Sequence, residues 1–143
     1  MITIELNRLN DAFHFSAEND AGNVVHLDSS PDSGGSNLGM RPMQMLLAAV
    51  GGCSAIDIIM ILKKQRQDLK DMKITVKGER EKDAVPSLYT SVHAHYKFFG
   101  PLDADKVEKA INLSIEKYCS VSQTLEKAGA KITYSFEILP EQS

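Results

Sequence analysis

Two cysteines are the residues of this chain best suited to carry chemistry. Cys53 lies inside the longest apolar run of the sequence, directly after Gly51 and Gly52, and Cys119 opens a short polar segment. A thiolate is a nucleophile, and two thiols that meet can close to a disulfide after one of them reacts with an oxidant. Whether the fold brings these two side chains together therefore decides which chemistry is open to the chain.

Each cysteine has both a structural and a functional interpretation. Free cysteine is among the most buried residue types, so Cys53 could simply fill the core, and Cys119 could be incidental at a corner between helices. The two glycines before Cys53 favour function, because each costs about 1 kcal/mol in a helix interior and such a cost usually has a packing or site reason. Cys119 precedes an S-x-x-Q capping box at Ser120 and Gln123, which predicts a helix N-terminus that favours a thiolate.

Three further titratable residues could modify or extend this chemistry. Asp57 follows Cys53 by one helical turn and shares its face, where a carboxylate disfavours a thiolate unless a cation intervenes. His93 and His95 alternate on one predicted strand, but two ligands do not make a zinc site, and a cysteine would have to join them. Solvent-facing histidines explain the pair better, so we predict no metal site and no cofactor.

Composition excludes several functional classes. The chain has 143 residues, enough for one domain, with 43% hydrophobic and 24% charged residues and a net charge of −3. A basic surface is not expected, and neither is nucleic-acid binding. The N-terminal residues lack the pattern of a signal peptide, which predicts a cytoplasmic protein. In that compartment two cysteines are more often free, catalytic or metal-binding than joined in a structural disulfide.

The apolar run Met43–Leu62 resembles a membrane span by length, and Lys63, Lys64 and Arg66 follow it. Asp57 argues against that interpretation, because an aspartate at the bilayer centre costs about 2.5–3.5 kcal/mol on insertion scales. A buried core helix explains the same residues without this cost. We therefore predict a core helix and no membrane association.

The order of predicted elements is typical of an α+β fold with mainly antiparallel sheets, in a single domain over residues 1–143. Alternating apolar residues and turn signals predict strands, and apolar residues at helical spacing predict helices. The predicted strands are Met1–Asn7, Ala12–Glu18, Asn23–Asp28, Asp71–Lys82, Leu88–Phe99 and Lys131–Leu139, and the predicted helices are Pro42–Gln67, Asp103–Lys117 and Ser120–Lys127. A loop rich in glycine and serine precedes the first helix.

The long helix also predicts an oligomer. At about 1.5 Å per residue, Pro42–Gln67 spans nearly 40 Å, and it is apolar on almost every side as far as Leu62. One domain of this size can hardly cover such a helix all round. We therefore expect a homodimer in which a second copy of the chain covers the remaining face.

Two segments together resemble the OsmC/Ohr family of osmotically inducible and organic-hydroperoxide-resistance proteins. The first runs from Gly39 to Cys53 and combines a proline-started helix with a mid-helix cysteine, and the second is the turn Tyr118–Leu125 around Cys119. The order of strands and helices agrees over essentially the whole chain. The resemblance implies an OsmC-like fold with a long central helix, built as an intertwined homodimer.

The same resemblance implies thiol peroxidase chemistry on organic hydroperoxides. Carried over by motif, Cys53 would be the attacking, peroxidatic thiol and Cys119 the resolving thiol. An external dithiol such as dihydrolipoamide would restore the enzyme. Bulky apolar neighbours on the Cys53 side of the helix would favour organic hydroperoxides over hydrogen peroxide; they are Leu46, Val50 and Met60.

Some positions depart from the family pattern. The established peroxidases place a glutamate after the helix-starting proline, where this chain has Met43, and Ser120 replaces the usual proline. That glutamate holds an arginine from the N-terminal strands, and no motif maps Arg8 onto this role. The chain therefore looks closer to the OsmC-like branch outside the established peroxidases, and we expect slow peroxide reduction. The alternative function is a binding module that holds an apolar small molecule in the dimer cleft, with cysteines that only pack.

Overall fold

Alternating apolar residues near the N-terminus form a small antiparallel sheet. The computed structural model describes residues 1–141, and its first three strands pair in chain order: β1 (Ile4–Arg8), β2 (Phe15–Asn19) and β3 (Val24–Leu27). Asn10 shapes the first connection, because its side-chain oxygen accepts the N–H groups of Ala12 and His14 at 3.0 and 3.2 Å. The predicted strand meander is confirmed, with boundaries shifted by a few residues.

The loop after β3 is ordered around one buried carboxylate. Asp28 is 2% exposed and accepts backbone N–H groups from Ser29, Ser36 and Leu38 at 2.7, 3.2 and 3.1 Å. Burial alone would raise the pKa of Asp28, but these donors outweigh it and hold the pKa below its ordinary value of 3.8. A segment predicted as a loop from its glycine and serine content is thus fixed by hydrogen bonds to a single side chain.

The chain divides into two compact units, one of residues Met1–Leu46 and a larger one that begins at Leu47. The helix α1 (Pro42–Lys64) begins in the first unit and continues into the second. It starts at the predicted proline and ends earlier than predicted, because Arg66 adopts a left-handed conformation with φ 57°. The prediction of one domain over residues 1–143 reaches beyond the described residues and stays a prediction.

The second unit contains a mixed three-stranded sheet. The strand β4 (Asp71–Arg80) pairs antiparallel with β5 (Tyr89–Phe99), and β5 pairs parallel with β6 (Lys131–Leu139). Between β5 and β6 the chain forms α2 (Ala104–Leu113) and α3 (Ser120–Lys127). A parallel pair needs such a crossover, which returns the chain to the same end of the sheet. The sheets are therefore less uniformly antiparallel than predicted.

The core of this unit lies between its sheet and two helices. One face of β5 packs against α1 and α2, and the members of this cluster are nearly inaccessible to solvent: Ile58, Leu62, Ala94, Tyr96, Phe98, Val107, Ala110 and Ile111. Another face of α1 stays open within the chain, where Ile56 is 63% and Met60 54% exposed. By length and composition α1 could cross a membrane, yet its buried face belongs to this core.

The two histidines of β5 are not simply solvent-facing as predicted. His93 is half-buried and hydrogen-bonds to Thr133 and Ser135 at 2.6 and 2.9 Å. His95 hydrogen-bonds to Ser135 and Glu137 at 2.6 and 3.2 Å. Parallel pairing with β6 puts these polar side chains beside the imidazoles, so the histidines join two strands. Within residues 1–141, neither histidine belongs to a cluster with three metal-ligand atoms.

Candidate active site

Cys53 lies in the middle of α1, half-buried and not in a disulfide. The glycines before it differ in their surroundings. A Cβ at Gly51 would lie 3.2 Å from Cγ2 of Val76 on β4, which is tighter than an ordinary contact, whereas a Cβ at Gly52 would meet nothing within 4 Å. Gly51 therefore lets α1 approach its sheet closely, and Gly52 lies on an open face of the helix. The packing reason expected for the glycine pair holds for Gly51.

Cys119 is itself the N-cap of α3. Its Sγ accepts the backbone N–H of Ser122 at 3.4 Å and the hydroxyl of Ser122 at 3.1 Å, and the residue is 0% exposed. The predicted position at a helix N-terminus is confirmed. The predicted capping box is wrong, because Gln123 instead donates its side-chain amide to the carbonyl of Ile115 at 3.0 Å. Since the cysteine sulfur already caps the helix, Ser120 does not have to do so.

A widened helical turn leads from α2 to Cys119. Ser114–Tyr118 forms a π-helical turn, which closes with a 2.6 Å hydrogen bond from the N–H of Cys119 to the carbonyl of Ser114. The sequence predicted one uninterrupted helix over this region, Asp103–Lys117. Turns of this kind are rare and occur often at functional sites. Here the turn joins the helix that packs on the sheet to the residue that carries the second thiol.

The fold brings both thiols and one carboxylate together. Sγ of Cys53, Sγ of Cys119 and a carboxylate oxygen of Asp57 all lie within 4.8 Å of one another. The hydroxyl of Ser114 donates to Oδ2 of Asp57 at 3.1 Å, so the π-helical turn also fixes the carboxylate. The fold thus brings together the two cysteines that the family resemblance pairs. Asp57, expected only as a neighbour of Cys53, is a third member of the cluster.

The surroundings of Cys119 favour its neutral form, and not the thiolate that its position at a helix N-terminus predicts. Burial raises the pKa of the Cys119 thiol above its ordinary value of 9.0, and the nearby Cys53 raises it further. The two hydrogen bonds from Ser122 lower this pKa but do not outweigh burial. At neutral pH the proton therefore stays on Cys119, whose S–H can be donated to the sulfur of Cys53.

A buried polar chain lies next to Cys53. The hydroxyl of Tyr96 donates to Oγ of Ser54 at 2.8 Å, and Ser54 donates to the carbonyl of Val50 at 2.8 Å. Burial raises the pKa of Tyr96, so its phenol stays protonated. These contacts anchor α1 to β5 one residue beyond the thiol. Sequence reasoning missed Ser54 and Tyr96, since nothing local marks a serine inside an apolar helix as a partner of a distant tyrosine.

A pocket of about 310 Å³ opens beside Asp57. Its other walls come from the end of α1, from α2 and from the π-helical turn, and they are mostly apolar: Met60, Ile61, Lys64, Leu113 and Tyr118. Lys64 brings a positive charge to the same pocket as the Asp57 carboxylate. A small molecule with an apolar body could therefore reach the edge of the cysteine cluster.

The two arginines of the N-terminal unit are held by their own loops. Arg8 donates through Nε to the carbonyl of Ala12 at 3.0 Å and through its guanidinium to the carbonyl of Asp11. Arg41 donates to the carbonyl of Gly39 and to Oδ1 of Asn37, both at 2.8 Å. Both guanidinium groups thus stabilise local backbone within that unit.

Comparison with known proteins gives one consistent result. The family model described as "OsmC-like protein" matches residues 34–135. Protein YhfA of Escherichia coli strain K12 is 42% identical over 127 residues, which cover 87% of this chain and 90% of YhfA. Both the sequence and its length therefore agree with this relative.

Solved structures show the same fold. A hypothetical protein from Aquifex aeolicus VF5 is 31% identical with a TM-score of 0.79, and the match covers 97% of this chain and 98% of that one. An organic hydroperoxide resistance protein OsmC from Legionella pneumophila is 16% identical with a TM-score of 0.72, covering 96% of each chain. At that identity the second likeness concerns the fold alone.

Proposed function

This chain belongs to the OsmC-like protein family, and we propose that it is a thiol-dependent peroxidase that reduces organic hydroperoxides through Cys53 and Cys119. Some members of the family are peroxidases of this kind. The observation that carries the proposal is the approach of the two sulfurs, which lie within 4.8 Å of each other although the cysteines come from different helices. A pair that only filled the core would not require this convergence.

The unequal burial of the two thiols supports different roles for them. Cys53 is half-buried and accessible to a peroxide, so it is the attacking residue, whereas Cys119 is fully buried and can act only on a group already bonded to Cys53. The S–H of Cys119 can be donated to a Cys53 thiolate and so stabilise it. Cys119 is therefore the resolving thiol.

The reaction consumes one hydroperoxide and one dithiol. The Cys53 thiolate attacks the distal oxygen of ROOH, the O–O bond breaks, and the products are the alcohol ROH, after protonation, and a Cys53 sulfenic acid. Cys119 then displaces the hydroxyl of the sulfenic acid, which leaves as water, and a Cys53–Cys119 disulfide forms. An external dithiol such as dihydrolipoamide reopens this disulfide by thiol–disulfide exchange and becomes a cyclic disulfide itself.

The walls of the pocket beside Asp57 support an organic substrate. Met60, Ile61, Leu113 and Tyr118 offer apolar contact for an alkyl or aryl hydroperoxide, which hydrogen peroxide cannot use. Met43 stands where the established peroxidases have a glutamate, so the cation that activates their thiolate is not held in the same way. We expect slow turnover for this reason.

The exposed apolar face of α1 supports a homodimer. Ile56, Ile59 and Met60 are 63%, 46% and 54% exposed in the single chain, and proteins of this family are typically dimers. In this soluble fold α1 is a core helix. We therefore expect a second copy of the chain, rather than a membrane, to cover its exposed apolar face. The peroxidase would be a single-domain cytoplasmic protein, where reduced dithiols are available to regenerate it.

Stoichiometric oxidation tests the function directly. One equivalent of cumene hydroperoxide added to the reduced protein should consume both thiols and yield a Cys53–Cys119 disulfide, read by thiol titration and by mass spectrometry of non-reduced peptides. In Cys119→Ser the same treatment should stop at a Cys53 sulfenic acid, which a dimedone probe captures. A Cys53→Ser variant that still reduces the hydroperoxide would overturn the proposal.

The second candidate function is a binding module for an apolar small molecule. It is favoured by a pocket of about 460 Å³ in the N-terminal unit, whose walls include Leu6, Phe13, Phe15, Leu27 and Arg41. A binding module would hold such a ligand without forming a disulfide. The peroxide titration separates the two functions, because only the enzyme loses both thiols to one equivalent of hydroperoxide.

A further inference from the structure

We propose that the reduced protein binds one thiophilic divalent cation, of the Zn²⁺ or Cd²⁺ type, between the thiolates of Cys53 and Cys119 and the carboxylate of Asp57. The proposal does not depend on peroxidase activity, because it concerns a ligand of the reduced dithiol. It also differs from the prediction, made from the sequence, that the chain has no metal site.

The spacing of the donor atoms fits such a cation. The two sulfurs and a carboxylate oxygen lie within 4.8 Å of one another, whereas ligands about 2.3 Å from a tetrahedral zinc are roughly 3.8 Å apart. A contraction of each distance by at most about 1 Å therefore closes the three donor atoms around a central ion. Three protein ligands leave a fourth position for water, as in zinc sites that are not closed by protein.

The donor chemistry selects the metal. Two thiolates prefer soft or borderline ions, and one carboxylate adds charge without changing this preference. Magnesium and calcium take oxygen ligands at higher coordination numbers, so this set does not suit them. Two thiolates and a carboxylate carry three negative charges, which a divalent cation reduces to one.

Hydrogen bonds already orient two of the three ligands. Ser114 donates to Oδ2 of Asp57 at 3.1 Å, which orients the carboxylate. Ser122 donates its backbone N–H and its hydroxyl to Sγ of Cys119, and both bonds stabilise a thiolate there. Donors of this kind, which touch the ligands rather than the ion, typically change metal affinity by ten- to a hundredfold.

The ion can reach the cluster from one side. Cys53 is half-buried, and Asp57 lines the pocket of about 310 Å³ that contains Lys64 and Tyr118. Cys119 is fully buried, so the ion would meet Asp57 and Cys53 first and Cys119 last. Formation of the Cys53–Cys119 disulfide removes both thiolates and would release the cation, which makes binding specific to the reduced state.

Cadmium titration of the reduced protein tests the site. Thiolate-to-cadmium charge transfer absorbs in the ultraviolet, and the absorption should saturate at one Cd²⁺ per chain. Zn²⁺ should displace Cd²⁺ and compete with a chromogenic chelator. Cys53→Ser and Cys119→Ser should each weaken binding at least a hundredfold, and Asp57→Asn at least tenfold. Asp105→Asn, an exposed aspartate in the first turn of α2, is the matched control and should change nothing.

Two measurements make the test decisive. Binding of one Zn²⁺ should protect Cys53 from alkylation by iodoacetamide, and the disulfide form should bind none. Unchanged affinity in Asp57→Asn, or saturation without thiolate charge transfer, would overturn the proposal. Metal binding is measured without peroxide, and peroxidase activity is measured in the presence of a chelator. Either function can therefore fail while the other holds.

Discussion

Cys53 and Cys119 approach within 4.8 Å, yet only Cys53 is accessible to solvent while Cys119 is fully buried and serves as the N-cap of α3. The second thiol is thus held by helix capping rather than by side-chain packing alone. Its sulfur accepts two hydrogen bonds from Ser122 and already faces the thiol that an oxidant reaches first. This asymmetry supports the proposal that Cys53 attacks and Cys119 resolves.

Replacement of Ser122 by alanine should slow closure of the disulfide. The hydroxyl of Ser122 helps to lower the pKa of Cys119, so its loss leaves less thiolate to attack the Cys53 sulfenic acid. A lost hydrogen bond of about 1 kcal/mol corresponds to a roughly fivefold lower rate. Quenched-flow alkylation after a single addition of hydroperoxide measures this step. Ser120→Ala removes an exposed neighbouring hydroxyl as the control, and equal slowing in both variants would contradict the role of Ser122.

Asp28 should make the N-terminal unit sensitive to acid. Burial raises its pKa, but hydrogen bonds from Leu38, Ser29 and Ser36 prevail, so the folded-state pKa lies below the ordinary value of 3.8. Stability from this carboxylate is therefore fully present above pH 3.8 and is lost as the pH falls through the folded-state pKa. Asp28→Asn should be less stable than wild type near pH 6, with a smaller difference near pH 3.

Urea unfolding at several pH values measures that difference. Asp32→Asn, at an exposed position of the same loop, is the matched control and should unfold like the wild type throughout. A stability difference between Asp28→Asn and wild type that does not change with pH would mean that the carboxylate charge is not what orders the loop.

The sequence predicted elements better than it predicted contacts between them. Periodicity located α1, whose start at Pro42 is marked by a proline that suits a first helical turn. The π-helical turn Ser114–Tyr118 escaped detection, because apolar residues at helical spacing continue through it and only the tertiary fold widens the backbone there. The capping box failed because a sulfur can replace the serine oxygen, and a pattern built on oxygen acceptors does not include Cys119 as a cap.

In the candidate site, too, single residues could be predicted from the sequence but their contacts could not. Each thiol could be singled out from local sequence, and their pairing followed only from a family resemblance. The hydrogen bond from Ser114 to Asp57 joins α1 to a turn far along the chain, and no spacing rule predicts it. Parallel pairing of β5 with β6 likewise depends on a crossover, so the partners of His93 and His95 could not be known beforehand.

Substitution of Ile56 by glutamate should disrupt the proposed dimer. Ile56 is 63% exposed on the open face of α1, so a charge there is tolerated by the monomer but would be desolvated between two copies. Sedimentation velocity at micromolar concentration should show a dimer for wild type and a large shift toward monomer for Ile56→Glu. Lys127→Glu on α3 is the control. If the wild-type protein is a monomer under these conditions, the proposed dimer is wrong.

The rate of peroxide reduction should depend on position 43. Stopped-flow mixing with cumene hydroperoxide should show wild-type reduction well below that of the established peroxidases, because Met43 offers no carboxylate to hold an activating arginine. Met43→Glu should increase the rate by roughly tenfold, or about 1.4 kcal/mol of transition-state stabilisation, only if the new carboxylate recruits Arg8 or Arg41 from the loop contacts that now hold them. Met43→Gln places a side chain of nearly the same shape as glutamate, but without its charge, and this variant should react at the wild-type rate. A fast wild-type enzyme, or equal acceleration by glutamine, would show that another group activates Cys53.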